Sequence, residues 1–528
     1  MRKLLTNASA DIPASVVVFL VALPLCLGIA LGSGAPLFSG IIAGMVGGIV
    51  IGLLSGSSLS ISGPAAGLTA IVAVAIGKMP AYEAFLLSVV IAGVLQIILG
   101  FVGAGIIGDY IPNSVIRGML ASIGFILILK QFPHLIGYDK DWVGDETFIQ
   151  VNDENTFSGI INSVNNIAPL ALIIGIISLI ILIVWERPQL KNNKFFKNLP
   201  GPLVVVVAGI LMNVYFSSPG TRFSLGTNQL VNLPIASDFA SFTSFFIFPK
   251  WEYLNNPDVW ITGLTIALIA SIETLLGIEA VDKLDPLKRR TPANLELKAQ
   301  GVGNIVSGLL GGLPLTSVIV RGSANVGAGA KSKFSAIMHG VLLLLSVLFI
   351  PGLLNKIPLS ALAAILIITG YKLVKPSIFT ELYKRGWDQF IPFIVTLLAI
   401  LFTDLLIGIV IGTIVALFSL IRSNFKSAMM VIHDENKYLV RFRKDISFLN
   451  KPIVKGKLEA IPAGSFLIID IARADFIDKD IIDVINDFLQ HAYLKNIKVE
   501  IKKSQFKSGH HLVYDQSTIG DYKGTSAH

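Results

Sequence analysis

Ser62-Gly63-Pro64-Ala65-Ala66-Gly67 opens a stretch that carries no charge until Lys78. A proline fits just before or at a helix start, where its missing N–H costs nothing. The run from Ala65 to Gly77, at ~1.5 Å per residue, reaches about 20 Å and falls short of a ~30 Å hydrocarbon core. Such a helix begins in mid-membrane, with the N–H groups of Ala65, Ala66 and Gly67 pointing into a cavity. Small side chains let a ligand approach the backbone, and a helix N-terminus attracts anions without an ionised side chain. Taken alone, the stretch fits an ordinary kinked and tightly packed helix equally well.

A second stretch shifts that balance. Gly311-Gly312-Leu313-Pro314-Leu315-Thr316-Ser317 again sets a proline ahead of a short apolar run, and Thr316 and Ser317 add hydroxyl donors. With Pro64 and Pro314 as half-helix starts, the two positive ends face each other across the midplane and form an anion site. Arg321 follows one turn later. A guanidinium at that depth faces a cavity or a partner, so it either adds positive potential to the site or bonds carbonyls around Gly322 to Ala330. Glu273, in Ala270-Ser271-Ile272-Glu273-Thr274, is the matching intramembrane carboxylate. It exchanges a proton, ligates a cation such as Na⁺, or pairs with Arg321.

The rest of the chain supplies the membrane. Of its 528 residues 53% are hydrophobic and 14% charged, against about 25% charged in soluble domains. That excludes a disordered chain and argues against a large soluble enzyme. The expected fold is an α-helical polytopic membrane protein. Spans are expected near 12–32, 36–55, 65–77, 82–102, 114–130, 167–185, 201–216, 258–280, 299–312, 315–326, 334–350, 356–371, 389–404 and 405–421. The first is about twice the length of a signal-peptide core and lacks a convincing cleavage site, so it counts as a span. The third and tenth are the short ones, and they correspond if the fourteen divide as seven and seven. An odd number of spans per half makes the second half inverted, and paired broken segments in inverted halves point to a transporter binding site.

Loop charges agree with that count. With Arg2 and Lys3 in the cytoplasm, Arg187, Lys191, Lys194 and Lys197 fall inside, as do Lys283, Lys288, Arg289, Arg290 and Lys298. Lys372, Lys375, Lys384 and Arg385 fall inside too. The 131–165 loop falls outside, with Lys140 against Asp139, Asp141, Asp145, Glu146, Asp153 and Glu154. Both termini are therefore expected in the cytoplasm, and the +8 formal charge reports orientation rather than nucleic-acid binding. Gly40, Gly44, Gly48 and Gly52 permit close helix contact, as do Gly408 and Gly412. Arg117 reads as snorkelling to the interface, and Lys130 and the tryptophans as boundary markers. Cys26, the single cysteine, excludes a disulfide within the chain, and no thiolate metal site is possible. No Walker loop, zinc pair or Ser/His/Asp arrangement occurs. No cofactor and no enzymatic activity are expected, and without an ATP site the flux is secondary or passive.

After Arg422 the composition becomes soluble-like. Tyr438 to Phe442, Phe466 to Asp470 and Ile497 to Ile501 read as strands, and Asp480 to Leu494 as an amphipathic helix. The expected division is a transport domain at 1–425, with repeats at about 11–216 and 258–425, a small cytoplasmic α/β domain at 430–505, and a flexible tail at 506–528.

These residues resemble the bacterial SulP (sulfate permease) family of inorganic anion transporters over nearly the full chain. The likeness rests on Ala22-Leu23-Pro24-Leu25, the Ser62 to Gly67 run and Asn113-Ser114-Val115-Ile116-Arg117-Gly118. Asn294-Leu295-Glu296-Leu297, Gln300-Gly301-Val302-Gly303-Asn304 and Gly311 to Pro314 with Arg321 extend it. The resemblance implies a seven-plus-seven inverted repeat shared with uracil permeases, core and gate subdomains, a homodimer and an elevator-like movement. It implies an anion at Ala65, Ala66, Gly67, Thr316 and Ser317. Glu273 stands where sodium-coupled bicarbonate members have an aspartate, but Gly277 stands where they offer a hydroxyl, which leaves proton coupling open. The last domain resembles a short STAS domain. Related regulatory proteins carry a phosphorylatable serine where this chain reads Asp478-Lys479-Asp480, so a packing or dimer role is expected instead.

The leading expectation is a cytoplasmic-membrane secondary transporter of a small inorganic anion, sulfate or bicarbonate, driven by H⁺ or Na⁺. One alternative is an uncoupled exchanger or channel-like conductance. Another is a membrane-anchored sensor or scaffold without transport.

Overall fold

The computed structural model describes the chain except residues 1–5, 144, 146–147, 149–153, 188–198, 217–222, 236–237, 375, 427–428, 505–506, 508–509 and 515–528. Arg2, Lys3, Lys191, Lys194, Lys197, Glu146, Asp153 and Lys375, used above for orientation, lie outside the described residues. The chain forms two compact units, residues 1–415 and 416–528.

In the first unit the apolar runs are helices. Its first half comprises α1 (Ala8–Gly32), α2 (Leu37–Val46, continued by a π-helical turn through Ile51), β1 (Ser62–Pro64), α3 (Thr69–Lys78), α4 (Tyr82–Val102) and α5 (Asn113–Leu135). Next come α6 (Thr156–Asn165), α7 (Pro169–Trp185) and α8 (Gly201–Phe216). The second half holds α9 (Pro257–Leu284), α10 (Ala293–Leu310), β2 (Leu315–Ser317), α11 (Ile319–Gly327) and α12 (Phe334–Phe349). It closes with α13 (Leu359–Leu373), α14 (Pro376–Arg385), α15 (Trp387–Phe402) and α16 (Leu405–Lys426), the last running into the second unit. Among the described residues, six helical stretches are long and apolar enough to cross a membrane unaided. Every expected span overlaps a helix.

Several expected loops are shorter than the charge pattern suggested. The 131–165 segment contains the end of α5 and all of α6, whose N-terminus is closed by Asn155 and Ser158 in a reciprocal capping box. A bend of 115° separates α6 from α7. The 281–298 segment shrinks to 285–292, because α9 runs to Leu284 and α10 starts at Ala293. Asp285 stabilises the connection by accepting from the Leu287 N–H at 2.9 Å and from Arg289 Nε at 2.7 Å.

Glycine sets the helix spacing as the four-residue repeat implied. Gly40 and Gly44 lie against Cys26 of α1, Gly48 against Gly340 of α12, and Gly52 against Ile337, so that any Cβ there would collide or crowd its neighbour. Gly408 and Gly412 do the same against Ile400 and Thr396. Arg117 pairs with Glu381 at 3.1 Å. Lys130 corrects the reading as a boundary marker: it is buried, 3.4 Å from Asp145 and 3.6 Å from Asp141. Trp142 packs its ring on Gly32, the last residue of α1, whereas Trp251, Trp260 and Trp387 are exposed.

The second unit is a four-stranded sheet of β3 (Met429–Asp434), β4 (Lys437–Phe442), β5 (Phe466–Asp470) and β6 (Lys498–Lys502), in the order β3-β4-β5-β6. The β3–β4 pair is antiparallel and the other two are parallel. The helices α17 (Lys451–Glu459) and α18 (Lys479–Ala492) complete it. Val440, Phe442, Leu467, Ile469, Ile481, Ile485 and Leu489 form the core, as alternation along the strands and the apolar stripe of α18 require. Asp478 caps α18 by accepting the Asp480 N–H. Part of the segment expected as a flexible tail is docked on this unit. Val513 is buried, buried His510 Nε2 lies 2.9 Å from Ala474 O, and Asn486 Nδ2 donates to Leu512 O.

Candidate functional site

The site starts from a backbone requirement. An interrupted helix at membrane depth leaves N–H and C=O groups that water cannot reach, and they must be paired within the protein. Here the two interruptions pair with each other. Ser62, Gly63 and Pro64 lie antiparallel to Ser317, Thr316 and Leu315, in register 62↔317, 63↔316 and 64↔315. Val318 N–H extends the contact by donating to Ile61 O at 2.9 Å.

This pairing corrects where the half-helices open. Pro64 is the last residue of β1, and helical structure begins beyond it at Ala66 with a 3₁₀ turn leading into α3. Pro314 precedes β2, and α11 begins at Ile319. Thr316 and Ser317 therefore sit on a strand before the helix rather than on its first turn. The extended conformation wins because it lets each strand supply the other's hydrogen bonds.

Side chains from two other helices, α10 and α9, hold the pair. Asn304 of α10 grips β2 on both sides of one residue, accepting from Leu315 N–H at 2.6 Å and donating to Leu315 O at 3.1 Å. It also donates to Gln96 of α4 at 2.6 Å. One turn earlier Gln300 donates to Ser62 of β1 at 2.5 Å and to Glu296 at 3.1 Å. Glu296 in turn accepts from Ser55 at 2.5 Å. These residues recur every fourth position, on one face of α10. Sequence reading quoted them only for family likeness; the regular Glu-Gln-Asn spacing at every fourth position was the available signal. On the other side Thr274 of α9 accepts from Ser317 N–H at 3.4 Å, and Ser60 Oγ lies 2.5 Å from Ser317 Oγ.

The two charges flank this structure. Arg321 is fully buried, its Nη2 bonds Cys26 Sγ at 3.3 Å, and its Nη1 rests where Gly63 lacks a side chain. The expected alternative, bonding to carbonyls after Gly322, gives way to the thiol, which α1 brings there; Cys26 had been read only as a lone apolar cysteine. Glu273 is buried, with Oε1 against Gly67 in the 3₁₀ turn that leads to α3. Gly277, one turn on from Glu273, packs against Ser317 O and adds no oxygen. Ala65, Thr316 and Ser317 are buried, while Ala66 and Gly67 keep partial exposure. Backbone dipoles and one guanidinium thus converge near a partly open backbone, beside the Glu273 carboxylate.

A membrane-embedded crossing of two broken segments, lined by small residues and hydroxyls, is the architecture of a multi-pass transporter. The Sulfate permease family profile matches residues 9–396, and the chain belongs to that family. It is 27% identical over 451 residues to the Putative sulfate transporter YvdB of Bacillus subtilis (strain 168), covering 85% of this chain and 80% of that one. It is 25% identical over 423 residues to the Bicarbonate transporter BicA of Picosynechococcus sp., covering 78% and 69%. Among solved structures, the transmembrane domain of a cyanobacterium bicarbonate transporter BicA matches with a TM-score of 0.54 at 22% identity, over 78% of this chain and 97% of that one. The overall structure of SLC26A9 matches with a TM-score of 0.63 at 16% identity, over 98% and 87%. At these identities the structures show a shared fold. The family's members are transporters rather than enzymes.

Proposed function

We propose that this protein is a secondary transporter of a small inorganic oxyanion, of the sulfate or bicarbonate class, in the cytoplasmic membrane. The observation that carries this reading is the β1–β2 pair, which brings the starts of two short helices together beside buried Arg321. The anion binds between them, at Ala65, Ala66, Gly67, Thr316 and Ser317, with Arg321 supplying the full positive charge. Sulfate and bicarbonate appear in the names of its relatives, and backbone N–H groups accept either.

Glu273 couples the anion to a cation. Proton coupling is favoured over sodium because Gly277, one turn on from Glu273, offers no hydroxyl. A carboxylate that takes one proton offsets one anion charge without needing a ligand shell.

Fourteen spans in two inverted sets of seven fit the correspondence between β1–α3 and β2–α11, each a strand followed by a short helix. An elevator-like movement, a homodimer and cytoplasmic termini complete the proposal, with residues 430–505 as a STAS-like domain.

The test is uptake of labelled sulfate and of bicarbonate into proteoliposomes, with H⁺ and Na⁺ gradients imposed in turn. Saturable uptake driven by an inward proton gradient supports the reading. Flux that ignores both gradients points to an exchanger or a conductance, and no flux with any small anion points to the sensor or scaffold.

A further inference from the structure

In the second unit, Arg443-Lys444-Asp445 follows β4, and Ala472-Arg473-Ala474-Asp475-Phe476 follows β5. The sheet register brings the two stretches together. Met429 of β3 lies opposite Phe442 of antiparallel β4, and Asp470 of β5 lies beside Arg441 of parallel β4. The start of β3 and the ends of β4 and β5 therefore share one end of the sheet. Asp445 fastens the two loops there by accepting from the Asp475 and Phe476 N–H groups at 2.7 and 2.9 Å. Ile446 N–H adds a bond to Phe476 O at 3.1 Å. Between the loops is an open cavity of about 590 Å³, whose lining includes Arg443, Lys444, Ser447, Arg473 and Phe476.

The two acids of this lining are engaged: Asp445 holds the backbone N–H groups, and Asp475 pairs with Lys507 at 2.8 Å. Arg443 and Arg473 are exposed and meet no carboxylate among the described residues, Arg443 Nη2 resting on Met430 Sδ. Phe448, Leu449 and Phe476 are exposed beside them. Cations among exposed apolar side chains complement a layer that is anionic at its surface and apolar beneath.

The chain itself brings such a layer close. The end of the sheet that carries the cavity is the end joined to α16, a helix whose last residue is Lys426. Five residues separate Lys426 from the expected end of the span at 421, about 7.5 Å along a helix. That matches a headgroup layer about 5–8 Å thick. Met429, where β3 starts, is three residues further on, a reach of at most about 11 Å. We propose that the cavity between residues 443–447 and 473–476 binds the phosphate headgroup of an anionic phospholipid of the cytoplasmic leaflet, and that this contact docks the second unit on the membrane. Arg443, Lys444 and Arg473 neutralise the phosphate, Ser447 supplies a hydroxyl donor, and Phe448, Leu449 and Phe476 enter the interface. The proposal rests on the cytoplasmic placement of this unit and is independent of the anion site.

The experiment is hydrogen–deuterium exchange of the purified full-length protein in nanodiscs of phosphatidylcholine alone and of phosphatidylcholine mixed with phosphatidylglycerol. Nanodiscs present the same lipids on both faces, so the outcome does not depend on which side of the cell membrane the unit occupies. Residues 443–449 and 471–477 are expected to exchange about tenfold or more slowly in the anionic bilayer. Replacing the three cations together, Arg443→Gln, Lys444→Gln and Arg473→Gln, removes that difference while β4 and β5 exchange as in the wild type. Equal exchange of the wild type in both bilayers, as contact with a second copy would give, overturns the proposal, and so does full slowing in the triple variant. Arg473→Gln alone, expected to lose about fivefold of the lipid dependence, decides the matter if the triple variant does not fold. Glycerol phosphate that slows the same residues equally in neutral nanodiscs would assign the cavity to a soluble phosphate and overturn the lipid assignment.

Discussion

Gly67 has no side chain where the Glu273 carboxylate lies: a Cβ built on Gly67 would overlap Glu273 Oε1. The buried acid is thereby held against the turn that starts α3, one of the two half-helices. The backbone proposed to bind the anion and the carboxylate proposed to couple it are a single packed unit.

Gly67→Ala is therefore expected to displace Glu273 or the turn. Overpacking of this kind costs about 1–3 kcal/mol. Proteoliposome uptake should fall by about tenfold or more, while the protein still elutes as a folded species in detergent. Normal uptake by the variant would show that the contact is incidental.

Glu273→Gln and Arg321→Ala should separate coupling from binding. Gln keeps the shape of the carboxylate but carries no exchangeable charge, so proton-driven accumulation is lost while anion-for-anion exchange survives. Removing Arg321 weakens binding itself, raising the half-saturating anion concentration in both assays. Accumulation that persists undiminished in Glu273→Gln would remove this residue from the coupling scheme.

Asn304 bonds both backbone groups of Leu315, and Asn304→Ala leaves a buried donor and an acceptor without it. The expected cost is about 1–3 kcal/mol for each unsatisfied group, read as a lower melting temperature in detergent. Anion affinity should fall with it, since β2 carries Thr316 and Ser317. Asn304→Asp keeps the acceptor for Leu315 N–H and should recover part of the loss.

A pH effect is expected from the segment after α5. Burial pushes the Asp141 carboxyl up to about 6, helped by Asp145 and opposed by Lys130 and His134. A raised carboxyl means that the folded state holds its proton more tightly. The stabilisation is fully present below the ordinary value near 3.8 and is lost as pH rises through about 6. Thermal melting between pH 4 and 7 should show this decline, and Asp141→Asn should flatten it. A variant with the wild-type slope would locate the effect elsewhere.

Legibility differed by element. The glycines at 40, 44, 48 and 52 and the two proline-led stretches were readable because each signal lies within one segment. Lys130 was misread because its partners come from a loop whose acidic residues look solvated when counted as a net charge. In the second unit β4, β5, β6 and α18 followed from alternation and an apolar stripe. The strand β3 and the helix α17 did not: Met429 to Asp434 follows a continuous apolar helix, and Pro452 and Gly456 obscure the helical pattern.

Membrane embedding, the family and the positions of the two broken segments are properties of local sums, of hydropathy, charge and proline placement, and they could be read along the chain. The pairing of Gly63 with Thr316, the seating of Arg321 against Cys26 and of Glu273 against Gly67 join residues about 200 to 300 positions apart. No local pattern specifies such partners. They are chosen when the two halves dock and the backbone groups of the two broken segments pair with each other.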